Sequence, residues 1–394
     1  MHNPDSYSLR SYGRMINDRA RSQPFVDALR KLVRPGSTAL EIGTASGYFA
    51  FLCAQLGADR VYAVEPDGAI EVAKLCAADV PGSERITWIK GISTRLDLPE
   101  RVDLVFGDLH GTLPFYNHNI ESMVDARLRH LKPGGSIIPM RDTVRVVPAQ
   151  APHEYRNVDE PWLANAEGLD LSSGRSFVAN DWWRARSEPA RADDLLATPA
   201  TWGAIDYRSV TSSNLDGEMQ WTVERPGTLH GYYVWFDGEL AEGIGYSNAP
   251  DLPELVYGRA FFPLERAIEV AAGDRIDARF SARLVSDKRV MRWNTRIGDA
   301  EGRERARFEQ STFRARPVDR AALERTAAEH VPQLGREGRI DLSILGAMAQ
   351  GQPLSRIATD LQQTYPQEFP TAAKAMARAA RLSCKYGDQG PETP

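Results

Sequence analysis

Residues Thr38 to Pro66, TALEIGTASGYFAFLCAQLGADRVYAVEP, constrain this chain more than any other stretch. An apolar run with an acidic member, Ala39-Leu40-Glu41-Ile42, enters a turn of small residues, Gly43-Thr44-Ala45-Ser46-Gly47. A helix-like apolar stretch from Tyr48 to Leu56 follows, and a second strand, Arg60 to Val64, ends on Glu65. Strand, helix and strand in this order form a βαβ half-unit of the kind that binds nucleoside cofactors. Glycines let the backbone come close to a ligand, and the start of a helix presents free N–H groups. Glu65 lies about 20 residues beyond the turn, where a carboxylate accepts from ribose hydroxyls.

Two cofactor classes use this geometry. A dinucleotide site wants G-x-G-x-x-G, with the pyrophosphate on the helix N-terminus. Here the spacing is G-x-x-x-G, Ala45 stands at the middle position, and Glu41 sits just before the turn. A carboxylate beside a pyrophosphate is repulsive, whereas beside the cationic methionine part of S-adenosylmethionine it is favourable. The residues therefore favour the methyl donor over the dinucleotide, and both over a glycine-rich turn that binds nothing.

At 394 residues the chain has room for two or three domains. A net charge of −5 and a pI near 5.9 give no electrostatic footprint for nucleic acid. No apolar run approaches the roughly 18 residues of a membrane span, and MHNPDSYSLRSY lacks the apolar core of a secretory signal. Cys53, Cys76 and Cys384 are too few and too scattered for a disulfide framework or a metal site, so the expectation is three reduced thiols in the cytoplasm and no metal.

Residues 7–35 read as helix, with Met15, Ile16, Phe25, Val26, Leu29 and Leu32 as its apolar stripe. Strands recur at 39–42, 60–64, 86–89 and 102–106, a helix covers about 117–131, and Ser136 to Pro139 is a further strand. Alternation of this kind implies a parallel, doubly wound sheet with ligands at the carboxyl ends of its strands. That edge collects Glu41 to Gly47, Glu65, Gly91-Ile92-Ser93, and Gly107 to Gly111. After about residue 142 short, partly alternating apolar runs broken by Gly and Pro predict a β-rich domain. Residues 160–200, with Trp162, Trp182 and Trp183, read either as an arm that packs on a partner subunit or as a surface excursion. Residues 316–386 turn helical and rich in Ala, Arg and Leu, and the last residues, GDQGPETP, are expected to be disordered.

Taken in order, these blocks resemble the protein arginine methyltransferases, class I enzymes that use S-adenosylmethionine. The resemblance spans about residues 7–300 and rests on Met15-Ile16-Asn17-Asp18-Arg19-Ala20-Arg21, LEIGTASG, YAVEP, ITWIKG and LKPGGSIIP. In the β-rich part it rests on His230 to Asp237 and Ser247-Asn248-Ala249-Pro250. It implies an α/β chain: an N-terminal helical segment over the cofactor (1–35), a Rossmann-like S-adenosylmethionine-binding domain (36–142), a β-barrel-like substrate and dimerisation domain (143–315), and a small helical domain (316–386) before the tail (387–394). It further implies that Tyr12, Met15 and Arg21 close over the cofactor, with Arg21 pairing with the methionine carboxylate. Glu41, Gly43 and Gly47 would face the methionyl and ribose portion, Glu65 the ribose hydroxyls, and Ser93 the adenine.

The acceptor side departs from the family pattern. Family enzymes clamp the guanidinium between two glutamates on the loop after the fourth strand. Here that loop reads GDLHGTLPFYN, which puts Asp108 at the first position and Asn117 at the second. One negative charge is lost, and Glu121, one helical turn further, is the residue able to restore it. His110 is new and can act as a base near pH 7. Where the family carries a Thr-His-Trp loop, this chain has Glu254-Leu255-Val256-Tyr257, so that Tyr257 is left as the aromatic wall. The helical tail bears a weak similarity to small peptide-recognising domains. The expected function is methyl transfer to a nitrogen, a guanidine among the candidates, of a peptide or specialised metabolite by a homodimer. The alternative is a neutral hydroxyl or amide acceptor deprotonated by His110.

Overall fold

The structure, a computed structural model, describes residues 8–165, 167–185 and 190–387; the sequence expected to be disordered lies outside them from residue 388 onward. The first element departs from the single helix read in the sequence. It is two helices, α1 (Leu9–Asn17) and α2 (Arg19–Leu32), broken at Asp18. The Asp18 carboxylate accepts from the Arg21 amide (3.2 Å) and from the Val256 amide (2.7 Å), so one side chain starts α2 and ties it to a distant loop. α2 then buries Phe25, Val26, Ala28 and Leu29. Each large apolar side chain of that row contributes roughly 1.5–3 kcal/mol.

The chain continues as β1 (Thr38–Ile42), α3 (Tyr48–Gln55), β2 (Arg60–Glu65), α4 (Ala69–Ala77), β3 (Ile86–Lys90), β4 (Val102–Gly107), α5 (Asn119–His130) and β5 (Leu131–Ile138). The five strands form one sheet in the order β3-β2-β1-β4-β5, with every pair parallel. Ile42 pairs with Val64 on one side and with Gly107 on the other. β1, β2 and β4 therefore end level, and the residues that follow them meet at one edge.

The second half runs β6 (Arg141–Ala149), α6 (Pro152–Leu163), α7 (Ser172–Val178), β7 (Trp183–Arg184), β8 (Ala200–Asp206), β9 (Leu215–Thr222), β10 (Gly227–Ala241), β11 (Ile244–Ser247), β12 (Ala260–Val270), β13 (Arg275–Val285), β14 (Lys288–Gly298) and β15 (Glu304–Ser311). Its strands make two antiparallel sheets, one ordered β7-β12-β10-β6-β8 with β11 on β10, the other β15-β14-β13-β9. Alternation does the work of closure: Ile276, Ala278, Phe280 and Ala282 of β13 point inward while the residues between them stay in contact with solvent. Trp202, Tyr232, Phe262, Phe280 and Trp293 fill the space between the sheets, ring against ring. One apolar cluster runs from Leu40, Val64 and Val105 of the parallel sheet to Val144, Tyr232 and Phe280, so both halves share a core.

The described residues divide after Pro317 into two compact units. In the second, α8 (Arg320–Arg325) precedes α9 (Arg336–Ala349), α10 (Leu354–Thr364) and α11 (Ala372–Tyr386), which pack Ile340, Ile344, Ile357, Leu361, Phe369 and Leu382 together. Among the described residues no helix is long and apolar enough to cross a membrane, and no cluster of His, Cys, Asp and Glu could hold a metal ion.

Candidate active site

A cavity of about 1570 Å³ opens at the carboxyl edge of the parallel sheet. Tyr12, Met15, Arg21, Glu41, Gly43, Glu65, Ser93, Asp108, His110 and Tyr257 all line it, from segments spread between residues 12 and 257. Gly47 stands just behind this wall as the N-cap of α3, at φ +84°, where a Cβ would lie 2.7 Å from the Trp88 ring. Gly43 (φ +75°) is similarly closed in by Leu109. These glycines are thus required by backbone conformation and by the packing of the turn against its neighbours.

The turn shows which nucleoside fits. The Gly43 and Thr44 amides donate to the Val64 carbonyl, and the Ala45 amide to Glu65 Oε2 at 2.9 Å. Glu41, 3 % exposed, accepts from the Thr44 hydroxyl (2.5 Å) and from the Ala50 amide in the first turn of α3. A carboxyl group therefore occupies the helix N-terminus that a pyrophosphate would need. Burial pushes the Glu41 carboxyl up to about 8, against the two hydrogen bonds. Glu65 accepts from the Asp67 amide through Oε1 (2.9 Å), and burial raises its pKa as well. Each Glu65 oxygen keeps a lone pair for a ribose hydroxyl. The site suits a nucleoside without a pyrophosphate.

Arg21 links this half of the cavity to the other. Its NH1 donates to the Met15 carbonyl (2.9 Å), its Nε to Asp108 Oδ2 (2.5 Å) and Tyr257 Oη (3.1 Å), and its NH2 pairs with Asp108. Phe25 and Phe49 lie 5.9 and 5.8 Å from the guanidinium carbon. Of the guanidinium's N–H groups, one on NH1 and one on NH2 have no part in these bonds. That remaining fork matches a carboxylate. Burial alone would lower the Arg21 pKa, but Asp108 and Tyr257 raise it above its ordinary value.

Asp108 is the centre of the acceptor side. Burial would raise its pKa, yet the Arg21 guanidinium, His110 and Tyr257 hold it well below the usual carboxylate range. Tyr257 Oη donates to Oδ2 at 2.7 Å, so Tyr257 is a tether for Asp108 as much as an aromatic wall. His110 departs from the expectation of a base near neutrality. Its Nδ1 lies 3.0 Å from Asp108 Oδ1 and its Nε2 2.8 Å from Asp142 Oδ2, while the ring stacks on Phe236 at 4.9 Å. Burial opposes the charge, but the two carboxylates push its pKa up to about 10. At neutral pH it is already an imidazolium and has no lone pair to offer as a base.

Glu121 sits in the first turn of α5 with Oε1 on Arg289 NH2 at 3.0 Å. The cavity wall there is made by Phe115, Ser122 and Arg289. Arg289 is further held by the Ser213 carbonyl (2.8 Å) and lies over Phe115. Asn117 belongs to the 3-10 turn Tyr116–His118, and its side chain lies outside the described part of the structure. Three wall or support residues went unread in the sequence: Asp142, Arg289 and His118. The last holds a left-handed backbone (φ +56°) at the entrance to α5. Nothing in the local sequence of any of them marks a site.

A family model described as a methyltransferase domain matches residues 40–138. The chain is 26% identical over 294 residues to protein arginine N-methyltransferase 6 of Danio rerio, covering 70% of this chain and 83% of that one. It is 27% identical over 233 residues to the Arabidopsis thaliana protein named probable protein arginine N-methyltransferase 6, and there it spans only about half (53%) of the relative's length. Among solved structures, Arabidopsis thaliana protein arginine methyltransferase 10 superposes with a TM-score of 0.67 at 20% identity, over 77% of this chain and 97% of that one. A Trypanosoma brucei PRMT1 enzyme-prozyme complex with AdoHcy superposes with a TM-score of 0.69 at 17% identity, over 76% and 96%. Residues 40–138 thus match a methyltransferase domain, the chain is similar in sequence to protein arginine N-methyltransferases, and its first unit has the fold of solved arginine methyltransferases.

Proposed function

We propose that this chain transfers the methyl group of S-adenosylmethionine to a guanidine nitrogen of a peptide or protein. The observation that carries the reading is Arg21: one buried guanidinium touches Asp108 and keeps a two-pronged fork for a carboxylate, which joins a donor site to an acceptor site. In this reading Glu65 holds the ribose hydroxyls, Arg21 the methionine carboxylate, and Glu41 is the carboxyl group beside the methionyl portion. Ser93, Tyr12 and Met15 border the same pocket. Bound there, the donor supplies a methyl on a positively charged sulfur that leaves as a neutral thioether. Asp108 Oδ1, with one lone pair beyond its bond to His110, orients an acceptor N–H. Alignment and fixed charge supply most of such a rate.

The experiment is transfer of labelled methyl to arginine peptides, read by mass spectrometry, beside calorimetric binding of the donor and its demethylated product. Asp108→Asn is expected to cut turnover about 100-fold or more, in the range of a lost transition-state contact. Transfer at the wild-type rate by that variant would remove Asp108 from the reaction. One observation favours a second reading, a neutral hydroxyl or amide acceptor: Asp108 and Glu121, the two carboxylates proposed for the acceptor clamp, each already face a cation. Transfer to such acceptors and none to arginine would establish it.

The exposed Leu163, Leu169 and Leu171, where α6 gives way to α7, support a homodimer with this arm on the partner. Sedimentation as a monomer at micromolar concentration would overturn that. Three cysteines scattered over the sequence, Cys53, Cys76 and Cys384, fit a reducing compartment such as the cytoplasm; a detectable disulfide among them in protein isolated under thiol-blocking conditions would count against it.

A further inference from the structure

We infer that Asp142 and His110 are positioning residues for the methyl-transfer step: a buried cation, pinned from the β-rich half of the molecule, that fixes Asp108 at the acceptor site. The inference rests on the methyl-transfer reading above and goes beyond it.

The geometry is a continuous chain of buried side chains. From α5, Asn119 Nδ2 donates to the Pro114 carbonyl and to Tyr207 Oη, both at 3.0 Å. Tyr207 Oη donates to Asp142 Oδ2 at 2.7 Å, and the same oxygen faces His110 Nε2 at 2.8 Å. His110 Nδ1 faces Asp108 Oδ1 at 3.0 Å, and Asp108 Oδ2 meets Tyr257 and Arg21. The Asp142 and His110 side chains are fully buried and that of Asp108 is 6 % exposed. Both ring nitrogens of His110 sit against carboxylate oxygens. Only an imidazolium donates from both, so the contacts themselves specify the protonated ring. The groups that bear on it are Asp108 on its own loop, Asp142 on β6, Tyr257 edge-on to the ring, and, through the two aspartates, Arg21 on α2 and Tyr207 after β8.

Residues 108–115, the loop that carries Asp108, have no helix or strand of their own. The Asp142–His110 pair is what ties that loop to a strand of the antiparallel sheet. It also accounts for both lone-pair sides of Asp108: Oδ2 is taken by Tyr257 and Arg21, Oδ1 by His110, and one direction at Oδ1 stays open for a substrate N–H. A misplacement of about 1 Å at such a group costs on the order of 100-fold in rate.

Histidine-selective ¹⁵N labelling of the full chain, followed by an imidazole NMR titration, tests the pair without any substrate. In the wild type one ring keeps both nitrogens protonated past pH 8, and in Asp142→Asn that ring titrates near or below its ordinary range. A wild-type protein in which every ring titrates near pH 6.5 overturns the inference. With arginine peptides, D142N lowers kcat about 100-fold while affinity for the donor's demethylated product stays unchanged. Its pH profile gains a falling limb near neutrality, where the ring now loses its proton. A wild-type kcat with a flat profile overturns the inference. If D142N does not fold, the double variant H110M/D142A removes both charges and leaves neither one stranded. Folded protein that binds the product yet turns over slowly supports positioning, and wild-type turnover refutes it. A wild-type chain that methylates no arginine peptide sinks the functional reading instead, a result separate from the titration.

Discussion

Glu41 and His110 are buried groups whose protonated forms the folded state prefers, so both link stability to pH in the same direction. Glu41 rises from 4.5 to about 8 because burial disfavours its charge. His110 rises from 6.5 to about 10 against its burial, under the charges of Asp142 and Asp108. A raised folded value means stability that is full below the unfolded value and lost as pH climbs through the folded one. Glu41's share is complete below 4.5 and gone once the pH has passed about 8; that of His110 is complete below 6.5 and gone past about 10. Asp108, held low by Arg21, works on the acid side, its share present above 3.8 and lost only as the pH falls through its folded value. Thermal melts are expected to peak near pH 4, where all three shares are present, and to decline toward pH 10 by a few kcal/mol in order of magnitude. Glu41→Gln should flatten the part below pH 8, and an unchanged slope in that variant would refute the assignment. Residue identity alone gave Glu41 its place, because an acid before a glycine turn has one structural context. It did not give His110 its charge: Asp142, which supplies it, stands 32 residues away on another sheet.

At the scale of elements, the break between α1 and α2 decides where Arg21 points. An apolar stripe running through residues 7–35 reads as one helix, and periodicity has no way to report an interruption of one residue. Asp18 makes that interruption by two side-chain hydrogen bonds, one local and one to Val256, and only the local one belongs to its neighbourhood in sequence. Asp18→Ala removes an N-cap worth about 1 kcal/mol, and with it the tie between α2 and the loop that ends in Tyr257. The melting temperature is expected to drop modestly while affinity for the donor falls more steeply, since Arg21 is the third residue of α2. A calorimetric titration in which D18A binds the donor like the wild type would show that α2 does not need this cap to aim Arg21. The βαβ core, by contrast, was readable throughout. Its strands lie within a residue or two of where apolar runs and glycines place them, because a sheet buried on both faces leaves little freedom in pattern. The acceptor wall was not readable. Arg289 and Glu121 meet across 168 positions, and each alone looks like a surface charge.

At the scale of the whole molecule, the two compact units have separate cores. The first joins both sheets through a shared apolar cluster, and every described residue lining the large cavity belongs to it. The second gathers Ile340, Ile344, Ile357, Leu361 and Leu382 from three helices and Phe369 from the segment between α10 and α11. A core of that size, built from fewer than about 70 residues, supplies no more than roughly 3–5 kcal/mol. The first unit buries far more and should unfold at a higher temperature. Calorimetry of the full chain is therefore expected to show two transitions, with the smaller one first. A chain ending at Pro317 should lose only the smaller transition and keep its affinity for the donor. If truncation instead lowers the main transition or abolishes donor binding, the last helices are part of the catalytic unit, and their separate core does not make them separate in stability.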